Sequence, residues 1–92
     1  MDFNYSLSCE KNTLKLIVDH EFSDAEMAVY LNCNDEKIDD VWYTKNFEYQ
    51  YEVPEDLMDT YFCCSVFIRV GSKVYSKKTK KINFFKTYKE ID

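Results

Sequence analysis

Glycine, proline and histidine are scarce in this sequence of 92 residues, which contains one of each. The chain therefore lacks the glycine-rich loops that cradle phosphate groups, and a lone histidine near a predicted strand end, such as His20, is more often a surface or core residue than part of a Ser-His-Asp set. Long apolar runs are also missing. The longest apolar run without a charge, Tyr61 to Ile68, is too short to cross a membrane and fits a buried strand. Charged residues within 1–20 exclude a signal peptide, which predicts a cytoplasmic protein or a fragment, without membrane insertion.

The four cysteines lack the spacing of a metal site. Structural zinc sites take Cys or His ligands separated by two to four residues, so that a turn folds around the ion. Cys63 and Cys64 are adjacent, and neighbours in a strand point to opposite faces. Cys9 and Cys33 stand alone, and the polar stretch 32–36 lacks the pattern of a calcium loop. The sequence therefore predicts free thiols packed as small hydrophobic side chains, with neither a metal nor another cofactor.

Charge is unevenly distributed along the chain. Residues 1–68 carry 4 Lys and Arg against 15 Asp and Glu, whereas residues 69–92 carry 8 against 2. The acidic body argues against nucleic-acid binding, because phosphate repels carboxylate. The basic end is expected either to lie against the acidic body or to contact an acidic partner.

Strand-forming residues alternate with polar residues through most of the chain, as in FEYQYEV at 47–53. A period of two is typical of half-buried β-strands. Clusters of Asn, Asp and Ser replace glycine and proline as turn residues. We predict seven strands, at about 3–9, 13–21, 26–33, 37–44, 47–53, 60–70 and 73–84. Seven short antiparallel strands with hairpin-length links indicate an all-β sandwich.

A chain of this length forms one domain, and we assign the β-sandwich to residues 1–84. Residues 85–92 are predicted to form a C-terminal tail, with a helical turn, or the start of a linker into another domain.

Three carboxylate pairs, at 35–36, 39–40 and 55–56, are the remaining candidates for catalysis. All three lie in predicted hairpins or corners, where charged side chains normally face water. A glycosidase needs two carboxylates held across a cleft, and a sandwich of this size has little room for one. We therefore predict that the protein is not an enzyme.

The segment from Asp59 to Cys63 resembles the Tyr-x-Cys entry to strand F of immunoglobulin-like sandwiches. The resemblance implies structural roles for Tyr61, whose hydroxyl would fold back onto the preceding corner, and for Cys63. The predicted second strand, 13–21, has no cysteine to bond to it. The resemblance is therefore to the wider immunoglobulin and fibronectin type III class, without its disulfide.

A narrower resemblance covers about residues 26–78. The runs AVYLNCNDEKIDDVWYTKNFEYQYEV and YFCCSVFIRVGSKVYSKK are similar to small bacterial accessory domains found beside glycosyltransferase or other polysaccharide-related modules. This resemblance implies a non-catalytic, immunoglobulin-like sandwich of about seven antiparallel strands that serves a larger protein.

The predicted strand 60–70 is apolar on both faces, whereas a sandwich strand normally needs one apolar face. We predict an interaction surface for another protein, or another domain of the same chain, formed by Phe62, Cys64, Val66, Ile68 and Val70 with Lys77 and Lys78. On this hypothesis, threonine at positions 66 and 68 should weaken association without unfolding the domain. Alternatively, this is a central strand whose outer face is shielded by neighbouring Lys and Tyr side chains.

Carbohydrate binding is the alternative function. Trp42 and Tyr43 would provide stacking platforms beside Asp39 and Asp40. Aromatic side chains at alternating strand positions are more often core residues or cross-strand pairs. The exposure of Trp42 separates the two interpretations: an exposed ring beside a carboxylate favours a glycan, and a buried ring excludes one.

Overall fold

The computed structural model describes residues 3–57 and 60–83. They form the strands β1 (Asn4–Glu10), β2 (Thr13–Asp19), β3 (Ala25–Cys33), β4 (Glu36–Thr44), β5 (Glu48–Glu52), β6 (Tyr61–Val70), β7 (Lys73–Lys78) and β8 (Ile82–Asn83). A 3₁₀ turn at Glu55–Leu57 follows β5. No helix within the two described ranges has the length and apolar character needed to span a membrane. The prediction of an all-β chain is confirmed.

The strands build two antiparallel sheets. One sheet has three strands in the order β1-β2-β5. The other has five, with β4-β3-β6-β7 in order and β8 paired to β6. One apolar cluster joins side chains of both sheets, such as Leu16 of β2 and Val66 of β6. This arrangement is consistent with the predicted sandwich, in which two sheets pack face to face around a shared core.

Tight hairpins are closed without the usual glycines. Cys33 pairs with Glu36, so Asn34 and Asp35 form a two-residue turn, with φ of 51° and 68°. Positive φ at both central residues is what a type I′ turn requires, and its twist matches that of the flanking strands. Asn and Asp tolerate this conformation, so the chain needs its one glycine, Gly71 with φ of 62°, only in the β6–β7 turn.

The predicted last strand, 73–84, is interrupted at Thr79. β7 ends at Lys78, and pairing with β6 resumes only in β8. The buried Thr79 donates its N–H to the Cys64 carbonyl at 2.8 Å, and its Oγ1 accepts the Cys64 N–H at 2.8 Å. Because a side-chain oxygen takes the place of a backbone carbonyl here, the regular ladder stops. The described residues therefore hold eight strands, where seven were predicted, and the predicted tail at 85–92 lies outside them.

Candidate interaction surface

The apolar side chains predicted to dock with a partner lie in the core instead. Phe62, Cys64, Val66 and Ile68 are each 0% exposed and belong to the apolar cluster between the sheets. Val70, the last of this row, is half-buried against the same cluster. The expectation that this row contacts a partner is therefore wrong, because the row is the inward face of β6.

The two lysines assigned to the same surface point to different sides of β7. Lys77 lies opposite Val66 and is half-buried; its Nζ donates to the Phe3 carbonyl at 2.6 Å. Its ammonium also lies 5.2 Å from the centre of the Phe3 ring. Lys78 lies opposite Ser65 and is exposed. Lys77 thus connects β7 to the residue before β1, and Lys78 is the one of the two that faces solvent.

The alternate positions form the outer face of the five-stranded sheet. The pairs Met27↔Ile68 and Val29↔Val66 are buried in the core, and the pair between them, Ala28↔Phe67, points the other way. This outer face includes outward side chains of β3, β4, β6 and β7, namely Tyr30, Trp42, Tyr43, Tyr61, Phe67, Arg69 and Val74.

One cluster on the outer face is centred on Tyr30. Its ring packs edge-on against Phe67, with ring centres 5.3 Å apart. The Lys37 ammonium lies 4.6 Å from the centre of the Tyr30 ring and 2.9 Å from Asp40 Oδ2. The hydrogen bond with Asp40, followed by its charge, raises the pKa of Lys37. The ring is therefore held between an aromatic neighbour and a cation that is already paired.

A second cluster is centred on Arg69. Its guanidinium lies 4.1 Å from the centre of the Tyr43 ring. It also donates a hydrogen bond to Glu26 Oε1 at 2.6 Å. A planar guanidinium can stack on a ring while its N–H groups bind a carboxylate, which an ammonium cannot do as well. The ring of Tyr43 is thus fixed in place by a neutralised cation.

Trp42 is the most exposed of the large hydrophobic side chains described, at 66%. A register shift between β3 and β4 places both Trp42 and Tyr43 opposite Ala28, which is the geometry of a β-bulge. The indole packs edge-on against Tyr43, with ring centres 5.2 Å apart and planes at 78°. The bulge therefore presents Trp42 to solvent beside Tyr43, at the edge of the outer face.

The carboxylates assigned to a glycan site lie at a cleft between β4 and β5. The hydroxyl of the buried Tyr49 donates to Asp39 Oδ2 at 2.6 Å, and Asp40 pairs with Lys37. Burial, followed by this hydrogen bond, raises the pKa of Tyr49, so the hydroxyl stays protonated. The cleft has a volume of about 410 Å³, and Trp42 is not among the described residues that line it. Asp39 thus faces Tyr49 in the cleft, whereas Asp40 is paired with Lys37 beside Tyr30 of the outer face.

All four cysteines are free thiols, and three of them are buried. Cys64 belongs to the core cluster, whereas Cys63, its neighbour in β6, does not. Burial, and then the proximity of Cys63, raises the pKa of Cys64 to about 12. A thiol with such a pKa is protonated near neutral pH and is a poor nucleophile. Within residues 3–57 and 60–83, no group of three or more His, Cys, Asp or Glu side chains is placed to hold a metal ion.

The structural roles assigned to Tyr61 and Cys63 require a correction. Tyr61 is 54% exposed, and Phe62 takes the inward position next to it. The inward pair is therefore Phe62-x-Cys64, one residue later than the resemblance implied. Phe62 has no hydroxyl with which to close the corner. Cys63 lies opposite Asn32 on the outward side, although only 3% of it is exposed.

Tyr30, Phe67 and Arg69 were not assigned to any site from the sequence. The sequence did contain a signal that Tyr30 points outward, because Tyr30 lies between Val29 and Leu31 of the inward row, and neighbouring strand residues point to opposite faces. Arg69 and Glu26 are 43 positions apart in the sequence, so no local pattern predicts their ion pair.

Comparisons of the chain with protein-family models, curated proteins and solved structures find no match.

Proposed function

We propose that the protein is a non-catalytic interaction domain that docks through the outer face of its five-stranded sheet. The observation that supports this proposal is the placement of exposed apolar side chains. Of the four large hydrophobic residues exposed in the described ranges, Trp42, Tyr61 and Val74 belong to the outer face. Exposed apolar side chains that share one face of a sheet favour an interaction site there.

The side chains of the outer face have the chemistry of a binding hot spot. Tyr, Trp and Arg dominate the binding energy of protein interfaces. Tyr30 and Tyr43 are already held by neighbouring rings and cations, so less side-chain entropy is lost on binding. The Arg69 and Lys37 charges are neutralised within the sheet. The centre of the surface therefore suits an apolar partner surface rather than a highly charged one.

The partner that fits is a protein, or another domain of the same chain, with carboxylates bordering an apolar centre. Lys78 is exposed on the outward side of β7, at the margin of the outer face. Complementary charge at the rim of an interface mainly speeds encounter and selects the partner. Lys78 thus adds selectivity to an interface whose affinity comes from the aromatic side chains.

We also propose that the sandwich belongs to the immunoglobulin-like class. The orders β1-β2-β5 and β4-β3-β6-β7 agree with strands A, B and E facing strands C′, C, F and G of that class. An accessory role beside a bacterial polysaccharide-related enzyme is the more specific form of this proposal, and it rests on the sequence resemblance over residues 26–78.

Photo-cross-linking tests the docking surface directly. A photoreactive phenylalanine analogue replaces Tyr61 on the outer face or, as the control, Ile17, which is 38% exposed on the opposite sheet. We expect an adduct of one defined mass from position 61, whose yield falls when Lys78 is changed to Glu. Position 17 should give none. Equal adducts from both positions, or none from position 61 in cells that make the protein, would contradict the proposal.

Carbohydrate binding stays a second candidate because Trp42 is 66% exposed. The carboxylates of Asp39 and Asp40 favour neutral sugars over acidic ones. Titration with neutral oligosaccharides should then change the fluorescence of Trp42, the one tryptophan in the chain. The Gln50→Ala variant, altered in the cleft, should retain the response if sugar stacks on the outer face and lose affinity if it enters the cleft. An unchanged spectrum, with no NMR shift at Trp42, rejects a glycan at this tryptophan.

A further inference from the structure

Within the described ranges, four strands longer than two residues lie at sheet edges, and three of them carry features that discourage pairing with another chain. β4 has two register shifts against β3 and four charged residues, at 36, 37, 39 and 40. β5 is short, begins and ends with Glu, and is followed closely by Pro54. β7 carries lysines at 73, 77 and 78. Bulges, short length, charges and proline are the usual means by which sheet edges avoid edge-to-edge association.

β1 is the exception among the four edges. Its seven residues pair with β2 in one unbroken register, from Asn4↔Asp19 to Glu10↔Thr13. The sequence NYSLSC at 4–9 has no charge, no proline and no lysine. In an antiparallel ladder, alternate residues of an edge strand direct N–H and C=O groups away from the sheet. Among the described strands β1 pairs only with β2, so its other edge carries backbone donors and acceptors that no described strand takes up.

Contacts from the other sheet reach the beginning of β1. In the described residues, Lys77 Nζ donates to the Phe3 carbonyl at 2.6 Å and the Lys80 N–H donates to the Tyr5 hydroxyl at 2.9 Å. Farther along the inward row, Leu7 is only half-buried and Cys9 is exposed. The core-facing row of β1 therefore becomes less covered toward the end of the strand, where a neighbouring strand would shield it.

We propose that β1 pairs antiparallel with β1 of a second copy of this chain, forming a symmetric dimer. The two three-stranded sheets then join into one sheet in the order β5-β2-β1-β1-β2-β5. Twofold dimers with self-complementary interfaces are the commonest oligomers. This interface is separate from the outer face of the five-stranded sheet, so the dimer does not depend on the proposed function.

The sequence of β1 is suited to pairing with itself. In the register centred on Leu7, Ser6 of one copy lies opposite Ser8 of the other, and Tyr5 lies opposite Cys9. Glu10, the one charge in the strand, lies opposite Asn4. No like charges face each other along the pair, although each chain carries a net charge of −5. This register therefore avoids the cost of like charges directly opposite each other.

Sedimentation equilibrium of the full chain under reducing conditions tests the proposal. We expect a mass that rises with concentration from 11.1 kDa toward twice that value. Lysines at both exposed serines, S6K with S8K, place like charges opposite each other across the twofold axis and should abolish the dimer. The matched control, Q50K with S76K, adds the same charge at exposed positions on other edge strands and should leave the dimer intact.

Charge exchange makes the result specific to the register. The S6E/S8E variant should also be monomeric, whereas an equimolar mixture of S6K/S8K and S6E/S8E should recover a dimer containing one chain of each. A wild-type chain that stays at 11.1 kDa up to the concentrations used for NMR overturns the proposal. A dimer that persists in both serine variants overturns it equally. A dimer lost on Trp42→Ala but retained in S6K/S8K would instead assign self-association to the outer face.

Discussion

The outward sides of the two sheets differ sharply in composition. The three-stranded sheet turns toward solvent mainly small polar or charged residues: Asn4, Ser6, Ser8, Glu10, Lys15, Asp19, Glu48, Gln50 and Glu52. Ile17 is its one large exposed hydrophobic residue. The outer face of the five-stranded sheet carries five aromatic rings, which are Tyr30, Trp42, Tyr43, Tyr61 and Phe67.

Both sheets use the same alternation, so the difference lies in what the outward row contains. The outward row of the three-stranded sheet is polar and is well hydrated. Removing the aromatic side chains of the five-stranded sheet from water is favourable. Lys37 and Arg69 on the aromatic face are paired with carboxylates of the same sheet, which lowers its net charge. The comparison indicates that the inward rows specify the core and that the outward rows specify the surface available for contact.

The largest expected effect comes from comparing substitutions in the inward and outward rows of β6. Ile68→Ala removes a side chain that is 0% exposed and should lower the free energy of unfolding by about 2–5 kcal/mol. Phe67→Ala, its outward neighbour, removes a half-buried ring and should cost clearly less. Urea unfolding followed by circular dichroism measures both. Equal losses would show that the outward row is as tightly packed as the core. For the same reason, threonine at positions 66 and 68 should destabilise the fold, contrary to the sequence-based expectation.

Burial of Cys64 in the inward row of β6 predicts that the protein becomes less stable at alkaline pH. The folded-state pKa of Cys64 is raised from its ordinary value of 9.0 to about 12, chiefly by burial. Above about pH 9 the unfolded chain loses this proton while the folded chain retains it, so stability falls as pH rises. The contribution is fully present below pH 9 and declines by about 1.4 kcal/mol per pH unit toward pH 12.

Unfolding midpoints at pH 8 and pH 10 measure this decline. The Cys64→Ala variant is the control, since it should be less stable at both values but show a shallower fall. A slope identical to that of the wild type would contradict the assignment to Cys64.

A smaller effect is expected when cationic side chains on the outward surfaces of the two sheets are replaced. Arg69→Ala removes the ion pair with Glu26 and the contact with Tyr43, and should cost about 0.5–1 kcal/mol because the pair is partly exposed. Lys15→Ala, on the outward side of the three-stranded sheet, should stay within about 0.5 kcal/mol of the wild type. The NMR signals of the Tyr43 ring should shift only in the Arg69 variant. Similar losses in both variants would remove the distinction between the surfaces.

The smallest effect concerns Tyr61. If its hydroxyl closed the corner before β6, Tyr61→Phe would cost about 1 kcal/mol or more. Because the side chain is 54% exposed and Phe62 occupies the inward position, we expect a change within about 0.5 kcal/mol. A melting temperature lowered by several degrees would restore the corner assignment.

Most of the fold could be predicted from local patterns. The alternation in 13–19 and in 47–53 identified β2 and β5, and the Asn34-Asp35 pair identified a hairpin turn. The end of β7 could not be predicted, because Thr79 and Cys64 are 15 positions apart and their hydrogen bonds form only when the strands pair. The run KKTKK at 77–81 contains no Gly, Pro, Asn or Asp, so the interruption has no local turn signal.

The candidate site was predicted less well than the fold. Both rows of β6 are apolar, so the sequence allowed either row to face inward. The choice was settled by pairing with β3, which places Val66 beside Val29 and Phe67 beside Ala28. Exposure of Trp42 was likewise undetermined, because it depends on a bulge formed between β3 and β4.

The sequence by itself determined that the chain forms strands, where most of them begin and turn, and that its cysteines lack the spacing of a metal site. These properties depend on backbone preference and on the period of two, which act between near neighbours. Only the tertiary structure decided which row of β6 is buried, which rings reach solvent and which carboxylates meet at the cleft. Those outcomes depend on register between strands distant in sequence, where a shift of one residue exchanges the inward and outward faces.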